Sequence, residues 1–126
     1  MSPEQWATIQ HFKPDEFDSP DEPGSGVRMQ FDTVRLLDEL RRILGTPLRI
    51  NSGVRTPGHN AEVAGSKDGS AHIDGWAADI TCRTSRERLR LLRAAMILGF
   101  NRIGIGTTFI HLDADPSKPK DVIWLY

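Results

Sequence analysis

The chain has 126 residues, 38% of them apolar and 26% charged, with a formal net charge of −1. That length suits one compact domain with a single core and leaves little room for two. The balance of 16 basic against 17 acidic residues excludes a global electrostatic footprint for nucleic acid, and the single cysteine, Cys82, excludes an intrachain disulfide framework. No apolar run approaches the length needed to span a bilayer. The start, Met1-Ser2-Pro3-Glu4-Gln5-Trp6, lacks the basic and apolar regions of a secretory signal. Synthesis in the cytoplasm and no membrane or nucleic-acid partner are therefore expected.

In chain order, residues 1–28 are polar and rich in turn formers, among them Pro3, Pro14, Pro20, Pro23, Gly24 and Gly26. They read as largely irregular, with one short turn over 11–17 docking Phe12 and Phe17 onto the core. From 29 to 44 the apolar positions Phe31, Val34, Leu37, Leu40, Ile43 and Leu44 recur at steps of three and four, which predicts a helix. Gly45 and Pro47 end it. Residues 48–50 read as a short strand entering an Asn51-Ser52-Gly53 turn, and 57–63 as a short helix with Thr56 as its N-cap. A flexible loop over 65–69 and a brief strand over 76–81 follow. Thr84 and Glu87 form a capping-box pattern opening a second long helix, with Leu89, Leu92, Ala95, Met96 and Leu98 as its expected apolar stripe and Gly99 as its end. Strands over 102–105, 108–113 and 122–126 close the sequence. Helices and strands are segregated, which predicts an α+β fold with a mostly antiparallel sheet.

Three residues offer themselves as ligands of one zinc ion. His72 and Asp79 are separated by a stretch containing Gly75, which would permit the tight turn that brings a loop and a strand residue together. The plainer alternative is an exposed loop histidine and a capping aspartate. Strand alternation puts Phe109, His111 and Asp113 on one face; a sheet histidine bonded to a neighbour would look the same. Two imidazoles and one carboxylate would leave the fourth tetrahedral position to water, as in a catalytic rather than a structural site. Arg55 could present a fixed guanidinium to a carboxylate or a developing oxyanion, or be one more solvated arginine. Ser70 stands two residues before His72, as a substrate contact or an ordinary loop serine. Cys82 reads better as a buried, inert thiol than as a nucleophile.

Taken together, Ser52-Gly53-Val54-Arg55, the run Ser70-x-His72-x-x-Gly75-x-Ala77-x-Asp79 and Phe109-Ile110-His111-Leu112-Asp113 resemble the zinc D-alanyl-D-alanine carboxypeptidases and murein endopeptidases, above all the small single-domain members of phages and bacterial cell-wall enzymes. The likeness spans roughly residues 12–113. It implies a hedgehog/DD-peptidase fold, with helices on one side of the sheet and a single domain over 1–126. It also implies one zinc ion held by His72, Asp79 and His111, with Arg55 as a substrate or transition-state contact and Ser70 as a substrate contact. Family members of this kind cleave peptide bonds in the peptidoglycan stem or cross-bridge. Many carry an acidic general base three positions before the second histidine. Here that position is Thr108, so the base role is expected of Asp113, with Asp74 and Glu62 as alternatives. The expected protein is a monomeric phage or prophage lysis enzyme, made without a signal peptide and acting on the wall after release. The competing expectation is a zinc-binding module with weakened catalysis that recognises cell wall or a protein partner.

Overall fold

The structure, a computed structural model, describes residues 1–63 and 69–126. Of the loop expected over 65–69, all but Gly69 lies outside the described residues. Among the described residues four α-helices, α1 (Pro3–Ala7), α2 (Phe31–Leu44), α3 (Pro57–Glu62) and α4 (Ser85–Ile97), accompany five strands, β1 (Ile50–Ser52), β2 (Ala77–Thr81), β3 (Arg102–Ile105), β4 (Phe109–Asp113) and β5 (Val122–Leu125). The strands form one sheet in the order β1-β2-β4-β3-β5. All neighbours are antiparallel except β3 and β5, which run parallel. This is the α+β class that the sequence predicts.

Period-two alternation divides the sheet into two chemically different faces. Ala78, Ile80, Ile103, Ile110 and Leu112 lie on the face buried under α2 and α4, in one core with Val34, Leu37, Leu40, Leu91, Ala94 and Ala95. The opposite face carries Asp79, His111 and Asp113. Helix α2 forms as its periodicity predicts and ends at Gly45, whose left-handed φ of 69° returns its amide to the Arg41 carbonyl.

The stripe on α4 is corrected. Leu89 and Met96 face outward, 56% and 52% exposed, and the buried positions are Leu91, Ala94 and Ala95. A leucine-rich, arginine-rich helix offers more than one apolar stripe. The small Ala94 and Ala95 face the core, where helix and sheet pack closely. The capping pattern is real but looser than expected. Thr84 Oγ1 accepts from Glu87 N at 3.1 Å, while the Glu87 carboxylate reaches back to Arg83 N, one residue before the cap.

Two further boundaries differ from expectation. The first strand is Ile50–Ser52 rather than 48–50, because pairing of Ile50 with Ile80 and Ser52 with Asp79 overrides the turn preference of Asn51 and Ser52. The N-terminal 28 residues, expected to be largely irregular, contain α1, opened by a reciprocal Ser2/Gln5 capping box, and 3-10 turns at Pro14–Phe17 and Ser25–Arg28. Phe12 and Phe17 dock on the core as expected, their rings 5.5 Å apart. This segment also buttresses the opposite side of the molecule. Val54 N donates to Phe17 O at 2.8 Å, and just beyond the segment Gln30 N donates to Gly75 O at 2.9 Å.

Gly75 has φ +78°, and a Cβ there would stand 2.4 Å from the Arg28 carbonyl oxygen. Both the left-handed backbone and the close approach require glycine. Gly75→Ala is expected to cost at least about 2 kcal/mol and to lower Tm on the order of 10 °C. Thermal unfolding followed by circular dichroism checks this, and an unchanged Tm would show that the loop relaxes freely.

Candidate metal centre

The site is a row of residues running across the whole sheet. Ser52 pairs with Asp79, Asp79 with His111, His111 with Gly104, and Gly104 with Trp124. Cross-strand partners point to the same face, so Asp79 and His111 are neighbours by register alone. His72 joins them from the loop before β2, closed by Gly75. All three side chains are buried, at 2% exposure for His72 and 4% for Asp79 and His111.

Their ligand atoms form a nearly equilateral triangle. His72 Nε2 lies 3.2 Å from Asp79 Oδ1 and 3.2 Å from His111 Nδ1, and His111 Nδ1 lies 3.0 Å from Asp79 Oδ1. Ligands about 2.0–2.2 Å from a tetrahedral ion stand about 3.3–3.6 Å apart, so these atoms sit nearly where three corners of such a shell would be. The outer atoms of both rings are occupied in the sense that suits a cation. His72 Nδ1 is 2.7 Å from the Gly53 carbonyl, to which only an N–H can bond. His111 Nε2 is likewise 2.7 Å from Asp113 Oδ2. With the outer nitrogens so engaged, each ring turns a lone pair inward, beside the Asp79 carboxylate, once its inner nitrogen has given up its proton. Three converging acceptors of this kind fit a divalent zinc ion.

The surrounding residues hold that triangle in place. Arg55, 8% exposed, donates to Asp79 Oδ2 at 3.1 Å, to Ser52 Oγ at 3.1 Å and to Asn60 Oδ1 at 3.3 Å. Its backbone N–H bonds the His72 carbonyl at 3.1 Å. Asp113 is fully enclosed: Oδ2 takes His111, while Oδ1 takes Arg102 Nε at 2.7 Å and Asp115 N at 3.1 Å. The His111 ring stands between Asp113 and the triangle. Ser70 Oγ accepts from the His72 backbone N–H at 3.3 Å. Thr108 is exposed at the head of β4, and Asp74 and Glu62 are exposed as well. Cys82 is buried at the end of β2, and burial raises its thiol pKa, in keeping with an inert group.

The electrostatics of the three candidates differ. Burial depresses the His72 pKa more than Asp79 raises it, so this ring is neutral near pH 7. Burial alone would raise the Asp79 pKa, but its bonds to His111 and His72 prevail and hold it well below the usual carboxylate range. For His111, burial is outweighed by bonds to Asp113 and Asp79, and the pKa is raised. His111 is thus the ligand candidate whose proton competes most with a metal ion. Zinc uptake is expected to release the proton that His111 carries, with affinity weakening as pH falls through its raised pKa. Calorimetry in buffers of different ionisation enthalpy measures that proton; zero release would contradict it.

The sequence reading missed several members of the site. Gly53 contributes only a carbonyl, which composition cannot reveal. Arg102 shares the face of Gly104 by alternation, yet its bond to Asp113 depends on the β3–β4 register. Trp124 reaches His111, with ring centroids 5.3 Å apart, because Gly104 has no Cβ; one there would lie 2.6 Å from the indole nitrogen. Arg102 stacks on the same indole at 5.3 Å. Tyr126 lies beyond it, 6.5 Å from the His111 ring, and burial raises its phenol pKa, so its hydroxyl keeps its proton. The alternation of Trp124 and Tyr126 against Ile123 and Leu125 was visible, but not that the last strand pairs with β3.

The sheet thus carries, on the face opposite α2 and α4, a buried His-Asp-His triangle that could hold a metal ion. A family model described as peptidase M15 matches residues 10–113, and the chain belongs to that family, whose members are zinc-dependent and act on peptidoglycan peptides. Comparison with curated proteins finds no match. Among the described residues no helix is long and apolar enough to cross a membrane.

Proposed function

We propose that residues 1–126 form one monomeric catalytic domain that cleaves peptide bonds in the peptidoglycan stem or cross-bridge. It would act as a D-alanyl-D-alanine carboxypeptidase or murein endopeptidase of the kind phages and prophages use to degrade host wall. The observation that carries this reading is the triangle of His72, Asp79 and His111, with its outer atoms anchored on Gly53, Arg55 and Asp113. Zinc, when bound, supplies Lewis acidity toward the scissile carbonyl and an activated water near neutral pH.

The roles of the chain's own residues follow from where they sit. His72, Asp79 and His111 are the ligands. Arg55, expected to contact substrate, has its guanidinium nitrogens engaged by Asp79, Ser52 and Asn60. It acts as a positioning residue for the Asp79 carboxylate, and its charge contributes to the field at the site. The base role expected of Asp113 does not suit a carboxylate enclosed behind His111. Asp113 orients that ring and strengthens it as a ligand instead. Tyr126, protonated and half-exposed beside His111, is placed to donate a hydrogen bond to substrate or to a developing oxyanion. Ser70, at the mouth of the His72 loop, contacts substrate.

Mass spectrometry of purified peptidoglycan digested by zinc-loaded protein, with a chelated control, tests the function. New amine-ended fragments only in the zinc sample are expected, and their masses identify the bond. Unchanged muropeptides with zinc bound would favour the binding module, with the exposed Thr108 marking the lost base.

A further inference from the structure

The outward face of α4 carries a charge pattern that the metal centre does not use. Arg83, Arg86, Arg88, Arg90 and Arg93 are five of the chain's 16 basic residues, and Glu87 is the only acid among them. The near-neutral total therefore conceals a segregated cationic helix. Arg86, Arg90 and Arg93 are exposed and recur at steps of three and four along one stripe. Among the described residues, ion pairs tie Arg28, Arg35, Arg42, Arg55 and Arg102 to carboxylates, but no arginine of α4 has one. The Glu87 carboxylate is engaged by Arg83 N, and Arg88 donates to the Thr107 carbonyl.

Large apolar side chains stand among these cations. Leu89 is 56%, Met96 52% and Ile97 74% exposed, and they occupy the same stripe as the arginines. Single exposed leucines are ordinary. Three large apolar groups interleaved with unpaired arginines on one 13-residue helix are not. Strand β5 adds to this side of the molecule. Ile123 and Leu125, 53% and 80% exposed, pair in parallel register with Ile103 and Ile105, on the face of the sheet that the helices cover.

We propose that this face of α4 docks the protein on an anionic lipid bilayer. A polyanion such as nucleic acid would use the arginines alone. A bilayer surface uses both components, phosphate headgroups for Arg86, Arg90 and Arg93 and the acyl boundary for Leu89, Met96 and Ile97. This contact lies along the surface and needs no spanning segment, so it departs from the expectation of no membrane partner. The charge and exposure of this face are independent of the metal centre. On the peptidase reading, a protein docked through α4 presents its site away from the bilayer, toward the wall, because the metal triangle sits on the opposite face of the sheet.

Co-sedimentation of the full chain with vesicles of phosphatidylcholine alone, or mixed with phosphatidylglycerol, tests the proposal. Binding only to the anionic vesicles, weakened by salt, is expected. Arg86→Glu/Arg90→Glu/Arg93→Glu should weaken partitioning on the order of a hundredfold, and Leu89→Ser/Ile97→Ser should weaken it as well. Zinc content and cleavage of soluble muropeptides should stay unchanged in both variants, which separates failure of docking from failure of the peptidase reading. Absence of binding to anionic vesicles would overturn the proposal. So would apolar substitutions without effect alongside equally tight binding to duplex DNA, which would mark a general polyanion site.

Discussion

His111→Ala is expected to abolish stoichiometric zinc binding and to reduce peptidase turnover by more than about a thousandfold. The ring supplies one corner of the ligand triangle and connects it to the enclosed Asp113–Arg102 pair. Removing it leaves two inward donors, His72 and Asp79, too few for a tightly held catalytic zinc. The fold should persist, because Ile110 and Leu112 on the other face of β4 continue to fill the core. Zinc content after dialysis, measured beside circular dichroism, distinguishes a lost ligand from a lost fold. Full zinc occupancy in the variant would remove His111 from the ligand set.

The second large effect concerns Asp113, for which the sequence and the structure suggest different roles. As a general base its loss would abolish turnover even at saturating zinc. As a positioning residue its loss would act on the metal. Asp113→Asn is therefore expected to weaken zinc affinity about 10–100-fold, with most of the turnover recovered when zinc is in excess. A zinc titration of activity reads the two outcomes directly, and turnover that stays absent at saturation would restore the base role. Both variants leave Arg102, 9% exposed, without its carboxylate, and an orphaned buried charge costs about 3–5 kcal/mol. Asp113→Ala should behave worse because it also removes the oxygen that accepts from Arg102 Nε and Asp115 N, which an asparagine carbonyl can keep. Its Tm should fall well below that of the Asn variant.

Much of this architecture was legible because local signals and tertiary demands agreed. The stripe of α2, the Thr56 and Thr84 caps and the alternation around His111 each predict what forms. The ligand candidates were legible for a similar reason, since Asp79 and His111 each carry a strand pattern that turns them away from apolar neighbours. What could not be read was pairing. Arg55 reaches Asp79 only because β1 lies beside β2, and Trp124 reaches His111 only because β5 returns in parallel beside β3 across a glycine. The α4 stripe failed for a different reason. Several helical faces were apolar enough, and the closest packing against the sheet, not total hydrophobicity, selected the one with two alanines. Net charge gave a true statement about the whole chain and concealed the local one on α4.

The direct opposition of Asp79 and His111 in the β2–β4 ladder bears on how the chain finds its native pairing. A strand shifted by one residue exchanges its two faces. In β4 that shift would carry Leu112 to the metal side and His111 into the apolar layer. A mispaired chain could not gather the three donors, and would forgo the free energy of ion capture. Zinc, when bound, would act as a proofreader of strand alignment, rewarding only the register in which His72, Asp79 and His111 come together.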